Sequence, residues 1–171
     1  MPEIEVFTSD FSHPLLLDKI VQSISDSLRL NFFVRKTERD LHEFYNPERN
    51  QYDAMRILQY YEGQITKDKA LILTSVDIFL PIFTYIFGLA KLGGVAAVVS
   101  TYRLDDRYYG LPENQDRLKT RIVKEIIHEL GHLFNLRHCK NYQCVMASSA
   151  TADDLDIKQA EFCSNCLSDL F

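Results

Sequence analysis

The stretch His128–Cys139, HELGHLFNLRHC, decides how the rest of the chain is read. It places three histidines and a glutamate within eleven residues, with a cysteine directly after the third histidine. At about 100° per residue, Val123, Ile126, Ile127, Leu130, Leu133 and Phe134 form one apolar stripe of a helix. His128 and His132 fall on the opposite side of that wheel. They are four residues apart, so their side chains stack on one edge, where one metal ion reaches both. Zinc takes neutral imidazoles at roughly 2 Å. Glu129 points about 100° further round the helix, near the metal without having to ligate it. That is the position of a general base acting on zinc-bound water.

His138 cannot join these ligands if the helix continues, because it would lie about 9 Å along the axis from His132. The chain must turn back, which requires a residue that tolerates positive φ. Glycine is the usual choice and asparagine the next best. Position 135 is Asn, a suitable stop that lets His138 swing back. Gly131 either clears space beside His128 near the metal or permits close helix packing.

All four cysteines, Cys139, Cys144, Cys163 and Cys166, fall in the last 33 residues. Disulfides that staple a small core would be scattered, and clustering in a chain without an export signal favours metal. Two close pairs across a loop form a four-thiolate zinc knuckle, closed and structural. The histidine site has three protein ligands and a vacant place for water. The expectation is two zinc ions per chain, one catalytic and one structural. A redox pair at CSNC is the lesser reading, since it follows an acidic loop and not a βαβ strand.

Working outward, NQDRLKTRIVKEIIHELGHLFNL, Asn114–Leu136, reads as one long helix with Asn114 as N-cap. Upstream, strands and helices alternate. EIEVF and LNFFVRK read as strands, HPLLLDKIVQSISDSL and QYDAMRILQYY as helices. KALILTSVDIF contains a third strand, TYIFGLA a fourth and GVAAVVSTYRL a fifth. LGG turns between the last two, which predicts a hairpin. Strand–helix–strand at the start implies a parallel, right-handed crossover. The fold class is thus α/β (α+β), with a mixed five-stranded sheet, long helices and an irregular Cys-rich tail. The expected domain is a single unit, 1–171, with an α/β subdomain over 1–135 and a zinc-knuckle subdomain over 136–171.

The 171 residues suit one domain with a sizeable core. A net charge of −5 gives no electrostatic case for nucleic acid or an anionic membrane. The start, MPEIEVFTSD, is no signal peptide. The longest apolar run, SVDIFLPIFTYIFGLA, is broken by Asp77 and Pro81 and is too short to span a bilayer. A cytoplasmic monomer is the expectation.

HELGHLFNLRHCKNYQCVM followed by CSNC resembles the archaemetzincins, a metzincin branch of zinc metallopeptidases. His128, Glu129, His132 and His138 match the pattern HExxHxxGxxH, and Asn135 stands where most members have Gly. Met146 stands where the methionine of the Met-turn is expected. Cys139, Cys144, Cys163 and Cys166 match the cysteines that set this branch apart. The Met146–Cys163 spacer of sixteen residues is one short of the common length, a difference that falls in a loop. The resemblance implies a metzincin-like fold and a peptidase that hydrolyses peptide bonds by Glu129-assisted attack of zinc-bound water. It also implies that the edge strand, near Tyr85 to Ala90, pairs with an extended peptide or protein substrate. Met146 would form a hydrophobic floor under the zinc. No tyrosine follows Met146 closely, so an oxyanion donor is not evident. The other readings are a zinc-binding protein with an unused peptidase site, or a zinc hydrolase acting on non-peptide substrates.

Overall fold

The structure, a computed structural model, describes residues 1–37 and 39–170. Phe171, the last residue of the expected C-terminal subdomain, lies outside the described residues. Five strands form the main sheet: β1 (Glu3–Thr8), β2 (Asn31–Lys36), β5 (Lys69–Thr74), β7 (Gly88–Ala90) and β8 (Ala96–Ser100). Their order is β2-β1-β5-β8-β7, all parallel except β7, which pairs antiparallel with β8. β7 is therefore an edge.

The inner parallel strands β1, β5 and β8 are buried on both faces, so they read as near-continuous apolar runs, whereas β2 is an exposed edge. Alternate residues divide between two layers. Val6, Leu71, Leu73, Ala97 and Val99 pack against α1 (Pro14–Leu28) and α3 (Gln115–Leu133). Phe7, Ala70, Ile72, Ala96 and Val98 pack against α2 (Ala54–Glu62) on the other face. α1 buries Leu16, Leu17, Ile20 and Ile24 and ends on Arg29 in the left-handed region. Asp53 caps α2 by accepting from the Met55 and Arg56 amides.

Two differences from the sequence reading concern short elements. QYD, Gln51–Asp53, is a strand, β4, and only the rest of its segment is helical. With β3 (Tyr45–Asn46) and β6 (Ile78–Phe79) it forms a second, three-stranded sheet. The expected fourth strand shrinks to Gly88–Ala90, because the Ile86 amide bonds instead to the Ile78 carbonyl at 3.1 Å.

α3 begins where Asn114 Oδ1 accepts from the Arg117 amide at 2.9 Å. Its polar side is not solvated: Arg121, Lys124, Glu125, His128 and Glu129 are all buried. α4 (Ala152–Ile157) covers part of that side. Arg121 is paired with both Asp106 and Asp156, at 2.8 and 2.6 Å. Lys124 Nζ donates to the Leu155 carbonyl at 2.8 Å. α5 (Ser164–Leu170) follows. The tail thus contains two short helices where an irregular chain was expected. No described helix is long and apolar enough to cross a membrane.

Candidate metal centres and active site

α3 delivers His128 and His132 side by side, with Nε2 atoms 3.1 Å apart. Each ring is fixed from behind by a carbonyl. His128 Nδ1 donates to Val145 O at 2.8 Å, and His132 Nδ1 to Leu136 O at 2.7 Å. A carbonyl only accepts, so each Nδ1 carries the proton and each Nε2 presents a bare lone pair. Burial pushes His128 down to about 3, with Lys158 adding to the effect. Burial also lowers His132, and partial loss of water around its ring lowers the otherwise exposed His138. Neutral imidazoles are the form that ligates metal.

The helix stops as its sequence requires. Asn135 has φ 68°, in the left-handed region. The Asn135 amide donates to His132 O at 3.0 Å and the Leu136 amide to Gly131 O at 2.9 Å. That pair of bonds is a Schellman stop with asparagine in the glycine place. Gly93, itself at φ 67°, makes room for the Asn135 side chain, since a Cβ there would come within 2.5 Å of Asn135 Oδ1. Beyond the turn, the His138 ring comes within 5.3 Å of the His128 ring and 4.9 Å of the His132 ring, centroid to centroid. The ligating atoms of the three histidines lie within 4.8 Å of one another. Ligands at about 2 Å from a tetrahedral ion sit roughly 3.3 Å apart, so the set fits zinc.

The cysteines form the second group. Sγ of Cys139 lies 3.8 Å from that of Cys163, and Sγ of Cys144 lies 3.8 Å from that of Cys166. A disulfide holds its sulfurs about 2.05 Å apart. The edge of a zinc–thiolate tetrahedron is about 3.8 Å, so this spacing suits a metal. The Asn141 and Cys163 amides point at the sulfurs of Cys139 and Cys144, both at 3.4 Å. A hydrogen bond from the Cys166 amide brings the Cys163 thiol down to about 7.

The turn Cys144–Ala147 serves both groups. Cys144 is one of the thiols, Val145 O holds His128, and Met146 O accepts the Cys139 amide at 2.9 Å. Met146 is fully buried beneath α3. A Cβ on Gly131 would come within 2.4 Å of Met146 Sδ. Gly131 therefore permits close packing on Met146, the second of its two readings.

A cleft of about 440 Å³ runs between β7 with the segment before it and the chain Ser148–Ala150. His128, Glu129, His132 and His138 face it. Two further ionisable residues line it that the sequence did not single out. Glu125 lies one turn before Glu129, and Lys158 follows α4. Burial raises Glu129 well above the usual carboxylate range, and neighbouring Glu125 raises it further. Burial also raises Glu125, whose carboxyl lies beside that of Glu129. Lys158 acts against both shifts. Its Nζ donates to Val145 O at 3.0 Å and Ala147 O at 2.7 Å. Spacing four residues before Glu129 is the only signal for Glu125, and no local signal marks Lys158.

The profile of Peptidase family M54 matches residues 13–171. The chain belongs to this family. An archaemetzincin of Pyrococcus horikoshii is 44% identical over 126 residues, 72% of this chain and 67% of that protein. A solved zinc-dependent peptidase from Methanocorpusculum labreanum superposes with a TM-score of 0.87 at 31% identity, covering 98% of this chain and all of that one. The archaemetzincin of Methanopyrus kandleri superposes at 0.86 with 33% identity, covering 99% and 93%. The chain is thus a zinc metallopeptidase with the archaemetzincin fold that its motifs resembled.

Proposed function

We propose that this M54 protein hydrolyses peptide bonds at the histidine cluster, with Glu129 as general base and acid, and carries a second, structural zinc on its four cysteines. The observation that carries the reading is the position of Glu129, in a cleft beside three imidazoles whose lone pairs converge. Zinc, when bound there, supplies Lewis acidity that acidifies a water and polarises the peptide carbonyl. His128, His132 and His138 would hold it, oriented by Val145 O and Leu136 O. Glu129 takes the proton of the attacking water and delivers it to the leaving amine. Glu125 and Lys158 set the charge around Glu129. Cys139, Cys144, Cys163 and Cys166 would close the other shell, leaving no place for water. The substrate lies extended along β7, adding a strand to the sheet edge.

Metal analysis and a peptide-library screen test this together. Two zinc ions per chain are expected, with cleavage that Glu129→Ala abolishes. One ion, or equal behaviour of the variant and the natural protein, would sink the corresponding half of the reading.

A further inference from the structure

A hydrogen bond crosses the cleft between two of its lining residues. Tyr85 Oη donates to the Ala150 carbonyl at 2.7 Å. The two residues come from opposite walls, Tyr85 from the segment entering β7 and Ala150 from the chain after the Met146 turn. Both ends of this bar are anchored. Arg103 lies over the Tyr85 ring, 4.2 Å from its centroid, and is itself held by Asp77 through two bonds of 2.8 and 2.7 Å. On the other wall, the Ala150 and Thr151 amides both donate to Asp154 Oδ2 at 2.9 Å, within the capping box that opens α4. Such a bar acts as a wall.

The ladder of β7 sets the direction of a bound chain. The Ser100 amide donates to Phe87 O at 2.8 Å, and Gly88, Leu89 and Ala90 stand opposite Val99, Val98 and Ala97. Bonded and non-bonded pairs alternate in an antiparallel ladder. Leu89 therefore turns its peptide groups toward β8, while Gly88 and Ala90 turn theirs outward. An added strand pairs through those two residues, and antiparallel pairing is the more stable direction. It then runs from Ala90 to Gly88, and its C-terminal side heads for Tyr85. Glu129 lies against Gly88, where a Cβ would meet Glu129 Cγ at 2.7 Å, so the bond to be cut sits near Gly88. Tyr85 stands three residues before Gly88 in the chain, which sets about three extended residues, roughly 10 Å, as the upper limit for a bound chain beyond the cut.

Resting on the peptidase reading, we infer that the cleft is blind on the side C-terminal to the cut bond. The enzyme then trims the C-terminal ends of peptides, releasing pieces of up to about three residues. The step is ordinary hydrolysis: the C–N bond breaks, water oxygen bonds to the carbonyl carbon, and a water proton passes through Glu129 to the amine.

The test uses the zinc-loaded full chain on a linear peptide and on the same peptide closed head to tail, with products read by mass spectrometry. The natural protein is expected to release short C-terminal pieces from the linear form and to cut the ring at least about tenfold more slowly. Tyr85→Ala, which removes the bar, should cut the ring and release longer pieces. Tyr85→Phe keeps the ring stacked on Arg103 and should move in the same direction by less. Internal cutting by the natural protein, or product lengths unchanged in both variants, overturns the inference. A second readout is independent of turnover: in the Glu129→Ala background, fluorescence anisotropy should show the linear peptide binding more tightly than the ring, with Tyr85→Phe narrowing the gap. Equal binding overturns the blind cleft. A binding gap in a protein that cuts no peptide supports the blind cleft and removes the peptidase reading instead.

Discussion

His128 is buried, His132 half-buried and His138 exposed, so the imidazole group opens onto the cleft. In the thiol group Cys144 and Cys166 are buried and Cys139 and Cys163 half-buried, and none of the four lines that cleft. The two groups also differ in what surrounds them. The imidazoles have carbonyls behind them and ionisable neighbours beside them, Glu129, Glu125 and Lys158. The thiols have backbone amides aimed at their sulfurs. An open shell with a base beside it is arranged for reaction, and a closed shell with amide donors is arranged to fasten chain. Yet the two share the turn Cys144–Ala147 and the bond between residues 138 and 139, so neither is independent.

The largest effect should come from separating base from ligands. Glu129→Gln should lower kcat/KM by about 10²–10⁴, the span of general acid–base catalysis, while the metal content equals that of the natural protein. Steady-state kinetics and elemental analysis check it. Loss of zinc in this variant would mean that Glu129 belongs to the metal shell, and the contrast between the groups would blur.

The next test crosses from one group to the other. Cys163→Ser touches no histidine, but should remove one zinc and reduce kcat/KM by about 10–100-fold, as changes behind metal ligands do. The path is Met146 O to the Cys139 amide, and Cys139 to His138. Full metal content together with full activity would show that the thiol group does not support the imidazole group.

Lys158→Met probes the positive charge that acts on Glu125 and Glu129. The natural lysine opposes the upward shifts of Glu125 and Glu129. Without it, both carboxyls should titrate higher still, and the base form of Glu129 should require a higher pH. The acidic limb of the kcat/KM profile should therefore move up in pH. The variant also leaves Val145 O and Ala147 O without their buried donor, at a cost of about 1–3 kcal/mol. An unshifted acidic limb would confine Lys158 to bracing the turn.

How much of this was legible follows from how far each signal reaches along the chain. His128, Glu129 and His132 share a helix, so their spacing states their geometry. The apolar strands and the β7–β8 hairpin carry their own periods and turn. Sheet β3-β4-β6 was missed because strands of two or three residues are too short to show alternation. α4 was missed because its start rests on a Thr151–Asp154 capping box and not on an apolar stripe. The burial of Arg121 and Lys124 was hidden for the same reason, since their cover comes from that helix. Lys158 reaches the site by tertiary contact alone. Val145 O and Leu136 O are backbone atoms, so no residue letter could announce them.

The smallest expected effect tests the hinge that belongs to the imidazole group alone. Asn135 holds φ 68° and forms the Schellman stop that turns His138 back. Asparagine tolerates this region and alanine does not, at about 1 kcal/mol. Asn135→Ala should therefore lower the unfolding free energy by about 1 kcal/mol and weaken binding of the catalytic zinc, leaving the thiol-bound ion in place. Asn135→Gly keeps the backbone freedom and loses only the side chain that fills the space against Gly93. It should retain both ions and most activity. Denaturant unfolding and stepwise chelation of the two variants give the comparison. Equal losses in both would trace the effect to the Gly93 contact, and the left-handed turn would no longer explain how the third histidine arrives.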